Sequence, residues 1–148
     1  MSHISVLRLH PEAKIPKRAT SGSTGMDIHS VEETVLAPGK WAAIRTGLVL
    51  GMEHLDPNVE IQIRPRSGLA LNHGVTVLNS PGTIDRDYTG EIKVILINHS
   101  EVPYKINVGD RIAQMVMSTH SRQILIPITE LSYTSNRADG GFGSTGSA

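Results

Sequence analysis

Side chains able to do chemistry are concentrated in the stretch LNSPGTIDRDYTGE, residues 78–91. The turn residues at its centre predict a hairpin, and Asp85, Asp87 and Tyr88 follow that turn directly. A carboxylate held rigidly on a strand beside a hairpin can act as a general base toward water. Tyr88 offers an aromatic face to a sugar. Aspartate and tyrosine also occur on hairpins without any catalytic role, so this stretch alone leaves the chemistry open.

A candidate anion site lies in RPRSGLA, residues 64–70. Arg66, Ser67 and the amide of Gly68 would offer an anion one fixed positive charge, one hydroxyl and one accessible N–H group. An ordinary turn of the type Arg-Ser-Gly explains the same three residues equally well. The assignment of an anion site to these residues therefore needs support from elsewhere in the chain.

The C-terminal stretch RADGGFGSTGSA, residues 137–148, contains the only phenylalanine of the chain, Phe142. Its G-x-G-x-x-G pattern lacks the following helix that a dinucleotide-binding turn requires, and no lysine is placed for a P-loop. Glycine-rich backbone with Ser144 and Thr145 can still turn N–H groups and hydroxyls toward a phosphate, and Arg137 adds a guanidinium. A disordered tail is the alternative interpretation.

Strands must position these residues, because the hydrophobic pattern is that of a β protein. Residues 59–64 alternate apolar and polar side chains, and residues 91–100 begin by alternating and then become continuously apolar. Turn residues separate further apolar segments: LAPGKWAAIRTGLVL, GVTVLN, YKINVGD, RIAQMVM and ILIPITEL. One short helix is predicted at residues 67–74. The sequence thus predicts a single all-β domain of the sandwich, jelly-roll or barrel type.

Composition excludes several classes of function. The formal net charge of zero argues against nucleic acid and anionic membranes as partners. The absence of cysteine excludes disulfides and thiolate metal sites, and the seven histidines show no metal-ligand spacing. No apolar run has the length of a signal peptide core or a membrane span. We therefore expect a cytoplasmic protein.

Two further short stretches, STGMDI (23–28) and GDRIAQ (109–114), are weak signals by themselves. Taken in order with PRSGLA, TIDRDYTGE and GGFGSTG, however, they resemble the five motifs of the trimeric deoxyuridine triphosphatases. The resemblance runs from Ile15 to Gly146. It implies a jelly-roll subunit, a distorted β-barrel, in a homotrimer whose active sites are shared between subunits. It also implies a barrel domain at 1–136 and a flexible glycine-rich arm at 137–148.

The implied reaction is hydrolysis of dUTP to dUMP and pyrophosphate, with water attacking the α-phosphorus. By motif position, Asp85 matches the carboxylate that activates this water. The phosphates would be bound by Arg66, Ser67, the amide of Gly68, and Gln114. The resemblance implies Mg²⁺ as cofactor, chelated by the substrate and its waters with no direct protein ligand, and Asp27 as a carboxylate that orients one of those waters.

The resemblance assigns recognition of the nucleoside to the hairpin. Asn79 and the backbone of Gly82, Thr83 and Ile84 would bind the polar edge of uracil, and a thymine methyl group would be overpacked there. Tyr88 would pack on deoxyribose and exclude a 2′-hydroxyl. Lys93, on the next strand, also matches a substrate contact.

The resemblance also gives the arm a role over the bound substrate. Phe142 would stack on the uracil, and Arg137, Ser144 and Thr145 would hold the γ-phosphate, with Gly143 allowing the arm to bend. Ala138 stands where the pattern has glycine, which matters if that position needs a positive φ.

Two alternatives remain at this point. A deoxycytidine triphosphate deaminase shares the fold, but it needs a glutamate at a place that we align with Ile95. A nucleotide-binding or regulatory module without catalysis is the other alternative, and pyrophosphate release would separate it from an enzyme.

Overall fold

The computed structural model of the chain describes residues 3–136 and 138–141. Within them the chain forms strands and one short helix, in the order β1 (Ser5–Arg8), β2 (Met26–His29), β3 (Thr34–Leu36), β4 (Trp41–Gly51), β5 (Val59–Arg64), α1 (Ser67–His73), β6 (Val75–Val77), β7 (Gly82–Ile84), β8 (Glu91–Asn98), β9 (Tyr104–Ile106) and β10 (Arg111–Thr119). No described helix is long and apolar enough to cross a membrane.

Two four-stranded sheets form the body of a jelly-roll fold, in the strand orders β1-β4-β8-β6 and β2-β10-β5-β7. A two-stranded sheet, β3-β9, completes the described architecture, and all the strand pairs are antiparallel. Neighbours in each sheet are mostly distant in sequence, so long connections cross between the sheets. The all-β prediction is confirmed.

The core lies between the two four-stranded sheets, and strand alternation creates it. On β5, Ile61 and Ile63 are buried, while Gln62 on the opposite face accepts a hydrogen bond from Arg64 Nε at 3.0 Å. On β8, alternate residues from Ile92 to Leu96 are buried, and burial then becomes continuous through Asn98. Both patterns follow the hydrophobic periodicity of the sequence.

Gly47 interrupts β4 and brings the N-terminal segment onto the barrel. Its φ is +66°, and a Cβ there would lie about 3.0 Å from the Cβ of Ala13. The Leu9 amide donates to the Gly47 carbonyl at 2.8 Å. The buried Ala13 side chain then packs with Val31 and Leu48 in a small second cluster. A glycine is needed here because both the backbone conformation and the close packing exclude a side chain.

Helix α1 begins at Ser67 and ends at His73, followed by Gly74 in the left-handed conformation with φ +63°. Gly74 therefore caps the predicted short helix in the usual way.

The predicted strand at ILIPITEL is wrong for the single chain. Residues 120–129 have no regular secondary structure, and Ile124, Leu125 and Ile126 are 76–92% exposed. The described part of the chain offers this segment no strand partner, so its apolar side chains remain uncovered.

Candidate active site

The hairpin side chains line a recess of about 250 Å³, which we call the hairpin recess. Strand β7 ends at Ile84, and Asp85 follows at its mouth. The neighbouring strands β4 and β8 supply the remaining walls. The full lining is Ala43, Thr83, Ile84, Asp85, Tyr88, Ile92, Lys93 and Ile95. The structure thus brings together the predicted general base, the predicted sugar contact and the predicted strand lysine.

Tyr88 is held in place by the residues that connect β7 to β8. Its hydroxyl donates to the Glu91 carbonyl at 2.9 Å, and its amide donates to the Asp85 carbonyl at 3.0 Å. A Cβ at Gly90 would lie 2.5 Å from the Tyr88 hydroxyl oxygen. The ring can occupy this position because residue 90 has no side chain.

Asn79 lies beside the start of β7, where the sequence predicts base recognition. A Cβ at Gly82 would lie 3.4 Å from Asn79 Nδ2 and 3.3 Å from Ile63 Cβ. The Asn79 side chain is exposed, and the Ser80–Pro81 peptide bond before the strand is cis. The Asn79 side chain therefore lies next to the start of β7, although it is absent from the lining of the hairpin recess.

A second group of predicted residues surrounds Asp27 on β2, and we call it the arginine cluster (Asp27, Arg66, Arg111 and Gln114). Asp27 Oδ1 lies 3.3 Å from Arg66 Nε, and its Oδ2 lies 3.4 Å from Arg111 Nη1. Arg66 also donates through Nη1 to the Arg111 carbonyl at 3.2 Å. The Asp27 and Arg66 side chains are only 21% and 25% exposed. One carboxylate thus pairs with both guanidinium groups.

Gln114 closes the arginine cluster from β10. Its Nε2 donates to the Pro65 carbonyl at 3.0 Å, next to Arg66. A Cβ at Gly25 would collide with Gln114 Oε1. The glycine of STGMDI therefore leaves room for the glutamine of GDRIAQ, which explains physically why the two stretches belong together.

Ser67 and Gly68 lie at the exposed start of α1, directly after Arg66. A Cβ at Gly68 would meet no atom within 4 Å. Both residues that carry the predicted hydroxyl and amide donors are thus exposed and directly follow Arg66.

The hairpin recess and the arginine cluster lie toward opposite ends of β5. Ile84 pairs with Ile61, whereas Gln114 pairs with Arg64 and Arg66 lies two residues further along. Asp85 shares a recess with Glu60 at the other end of the strand. Four strand residues span roughly 13 Å, so Asp85 and Arg66 of one chain lie farther apart than two groups that share a phosphate.

Apart from Asp27, the charged side chains that act on His29 next to the arginine cluster are cations. Burial lowers the pKa of His29, and the charge of Lys14 lowers it further, whereas Asp27 acts in the opposite direction. Burial also raises the pKa of Tyr104. Burial is the largest cause of the lowered His29 pKa, and the neighbouring cations Lys14, Arg111 and Arg66 act in the same direction.

Arg111 and Ala43 were not predicted as site residues. Arg111 lies in the same stretch, GDRIAQ, as the predicted Gln114, so this motif could have identified Arg111 as a site residue. Ala43 lines the recess only because β4 pairs with β8, where Ala43 lies opposite Ile95. No local pattern identifies it.

The predicted arm residues Arg137, Phe142, Gly143, Ser144 and Thr145 lie outside the described residues. Ala138 is described, and its φ of +45° is the single positive value at a non-glycine residue within residues 3–136 and 138–141. Its amide donates to the Ser135 carbonyl at 3.1 Å. Ala138 therefore adopts the left-handed conformation that glycine would adopt more easily.

Comparison with known proteins gives consistent matches over nearly the whole chain. The dUTPase family model matches residues 11–146. The chain is 52% identical over 143 residues to deoxyuridine 5'-triphosphate nucleotidohydrolase of Helicobacter pylori strain J99, covering 97% of this chain and 96% of the relative. The enzyme of the same name from Picosynechococcus is 51% identical over 144 residues, with 97% and 99% covered.

Among solved structures, the Staphylococcus bacteriophage 80alpha dUTPase with dUPNHPP is similar in fold. It superposes with a TM-score of 0.89 at 25% identity, covering 99% of this chain and 100% of the phage chain.

Proposed function

The chain belongs to the dUTPase family and is a dUTP diphosphatase, and from that premise we propose how its residues carry out the reaction. Water attacks the α-phosphorus of dUTP, giving dUMP and pyrophosphate. The observation that carries this proposal is the position of Asp85 at the mouth of the hairpin recess, which it lines together with Tyr88. In the cell the reaction would keep uracil out of DNA and supply dUMP for thymidylate synthesis.

The hairpin recess binds the deoxyuridine. Asn79 and the backbone of β7 pair with the polar edge of uracil, and the Tyr88 ring, held by its bond to Glu91, packs on the deoxyribose. Lys93 lies along the same wall. Ile95 also lines this recess, and an isoleucine cannot transfer a proton, which argues against deamination of the base.

Asp85 acts as the general base that takes a proton from the attacking water. A positioned carboxylate of this kind contributes about 10²–10⁴-fold to the rate. Its exposed position at the edge of the recess leaves room for water beside the α-phosphorus.

The arginine cluster binds the phosphates, together with Ser67, the Gly68 amide and Gln114. Arg66 and Arg111 are already directed at a carboxylate, and the phosphates would compete with Asp27 for their N–H groups. Donors that are oriented before the substrate arrives stabilise the charge of the transition state without reorganising at the moment of reaction.

We propose Mg²⁺ as the cofactor, brought in by the triphosphate. Among the described residues, no three His, Cys, Asp or Glu side chains are grouped to hold a metal ion. The donor set of the arginine cluster has a single carboxylate, Asp27, which fits an outer role through water better than direct ligation, because Mg²⁺ keeps several waters. When bound, Mg²⁺ would neutralise phosphate charge.

The active unit is a homotrimer whose sites combine residues of different subunits. The separation of Asp85 from Arg66 along β5 supports this, since one chain does not bring both to one phosphate. The uncovered apolar segment at residues 124–128 also supports assembly with other copies. We further propose that residues 1–136 form the barrel domain and residues 137–148 an arm. Phe142 would stack on the base, and Arg137, Ser144 and Thr145 would hold the γ-phosphate.

Pyrophosphate release from dUTP, dTTP, dCTP and UTP, with Mg²⁺, tests the reaction. We expect rapid release from dUTP alone. Equal rates with dTTP or UTP would contradict the assigned roles of the hairpin and Tyr88, and no release from dUTP would overturn the proposal.

Sharing of sites is tested by co-expressing an Asp85→Asn chain with an Arg66→Leu chain in equal amounts. If each site takes Asp85 and Arg66 from different subunits, random trimers regain about one quarter of wild-type activity, since three quarters of them are mixed and each has one intact site of three. If both residues act within one chain, the mixture stays as inactive as its parents.

A further inference from the structure

A second group of cations lines a recess formed mainly by the N-terminal segment, residues 8–17. This basic recess (Arg8, Lys14, Lys17 and His29) has a volume of about 480 Å³. Glu12 is the one carboxylate among its lining residues, and Pro11, Ala13 and Ile15 supply the apolar part of its wall. Three permanent positive charges against one negative charge are a marked local excess in a chain whose formal net charge is zero.

The segment that carries these lysines is anchored at both ends and in the middle. Before it, the Leu9 amide donates to the Gly47 carbonyl, and after it the Asp27 amide donates to the Lys17 carbonyl at 3.1 Å. Between these anchors the Ala13 side chain is 3% exposed and packs on Val31 and Leu48. The backbone of the recess is therefore preformed, and a ligand would have only side chains to order.

His29 forms the inner wall and offers one ring nitrogen to a ligand. Its Nδ1 is buried and has no hydrogen-bond partner among the described residues, which leaves Nε2 as the nitrogen that an occupant could reach. Lys14 Nζ makes only a long contact of 3.4 Å, to the Gly109 carbonyl. Neither Lys14 nor Lys17 has an ion-pair partner in the described part of the chain, so their charges are available.

We propose that the basic recess binds a small phosphate-class polyanion, with inorganic pyrophosphate as its simplest example. Two mobile ammonium groups, a guanidinium and an imidazole around a preformed concave wall are the donors that such an anion requires. The lining of the basic recess includes none of the substrate contacts assigned to Asp85, Arg66 and Gln114. His29 nevertheless lies opposite Arg111 across β2 and β10, so the two anion sites are neighbours and must be tested apart.

The experiment is a titration of the full-length protein with sodium pyrophosphate, followed by amide NMR shifts of residues 12–17 and His29 at low ionic strength without Mg²⁺. It is done in the Arg66→Leu background, which removes the main anion-binding group of the arginine cluster. We expect saturable shifts in this segment, with affinity weakened roughly tenfold or more in Lys14→Met/Lys17→Met, because each lysine supplies one close charge. Lys40→Met/Lys105→Met, which removes two exposed lysines elsewhere, is the matched control.

Two results would overturn the proposal. One is the absence of shifts at residues 12–17 at millimolar pyrophosphate. The other is equal affinity in Lys14→Met/Lys17→Met and in Lys40→Met/Lys105→Met, which would reduce the effect to a change in overall charge. Because the readout is binding, loss of this site and failure of the hydrolysis proposal are told apart directly.

Discussion

The hairpin recess and the arginine cluster are built in opposite ways. The hairpin recess takes most of its walls from one continuous stretch, residues 83–95, and its tyrosine is held by neighbours three and two residues away. The arginine cluster draws its groups from β2, from β10 and from the residues that follow β5. The recess is a concave space, whereas the charges of the cluster are paired with one another. Under the proposed roles, a nucleoside would fill the space, and a triphosphate would compete with Asp27 for the two arginines.

The largest expected effect comes from removing the base at the hairpin recess. Asp85→Asn should lower kcat by about 10²–10⁴-fold with little change in KM, because the amide keeps the shape and loses the proton acceptor. The measurement is pyrophosphate release under saturating dUTP. Asp87→Asn is the matched control, since Asp87 is absent from the lining of the hairpin recess and should keep nearly full activity.

The arginine cluster should respond to charge and salt where the hairpin recess does not. Arg66→Leu should lower kcat/KM by about 10²–10³-fold, as expected for loss of a donor to developing charge. It should also flatten the salt dependence of KM, because one phosphate-binding charge is gone. Steady-state kinetics over a series of NaCl concentrations measures both. A salt dependence unchanged from the wild type would place Arg66 outside phosphate binding.

A pair of glycine substitutions separates the two regions sterically. Gly90→Ala pushes against the ring of Tyr88 and should lower discrimination between dUTP and UTP by about 10-fold, at an overpacking cost of roughly 1–3 kcal/mol. Gly25→Ala pushes against the end of Gln114, a flexible side chain, and should weaken triphosphate binding while leaving the UTP discrimination intact. Competition of dUTP with UTP, and inhibition by pyrophosphate, give the two readouts. The same loss of sugar discrimination in both variants would show that the regions are not independent.

The smallest effect is expected at Ala138. Its left-handed backbone costs alanine about 1 kcal/mol, which glycine would not pay. If the arm adopts this conformation over the substrate, Ala138→Gly should raise kcat/KM by about two- to fivefold. Ala138→Val is the opposing control and should lower it. If kcat/KM rose in both variants, the effect would not come from the backbone angle φ of residue 138.

Several features of the fold follow from local sequence. The alternation in residues 59–64 predicted which side chains of β5 face the core, and the short helix after Arg66 ends at the glycine that terminates it. The turn at residues 78–81 was also predicted, but the predicted hairpin was wrong, because β7 pairs with β5 and β8 lies in the other sheet. These predictions hold because strand alternation and turn chemistry depend on neighbours in the chain.

Other features could not be predicted in this way. The apolar residues of ILIPITEL are typical of a strand. Strand formation requires a partner strand, however, and none is available within the described part of the chain. Arg111 shares Asp27 with Arg66 only because β2 pairs with β10, a contact between residues 84 positions apart. The arm residues lie beyond the described part, and their roles stay predictions.

By itself, the sequence determined the chemical inventory: the carboxylates Asp85 and Asp87 after a turn, an arginine before a short helix, and a glycine-rich C-terminal stretch. The tertiary structure alone decided how these are distributed. It placed Asp85 and Arg66 toward opposite ends of one strand and paired Asp27 with two arginines. The physical reason is that residue types and turns are local properties of the sequence. Strand register, in contrast, sets the distances in space between groups that are far apart in sequence.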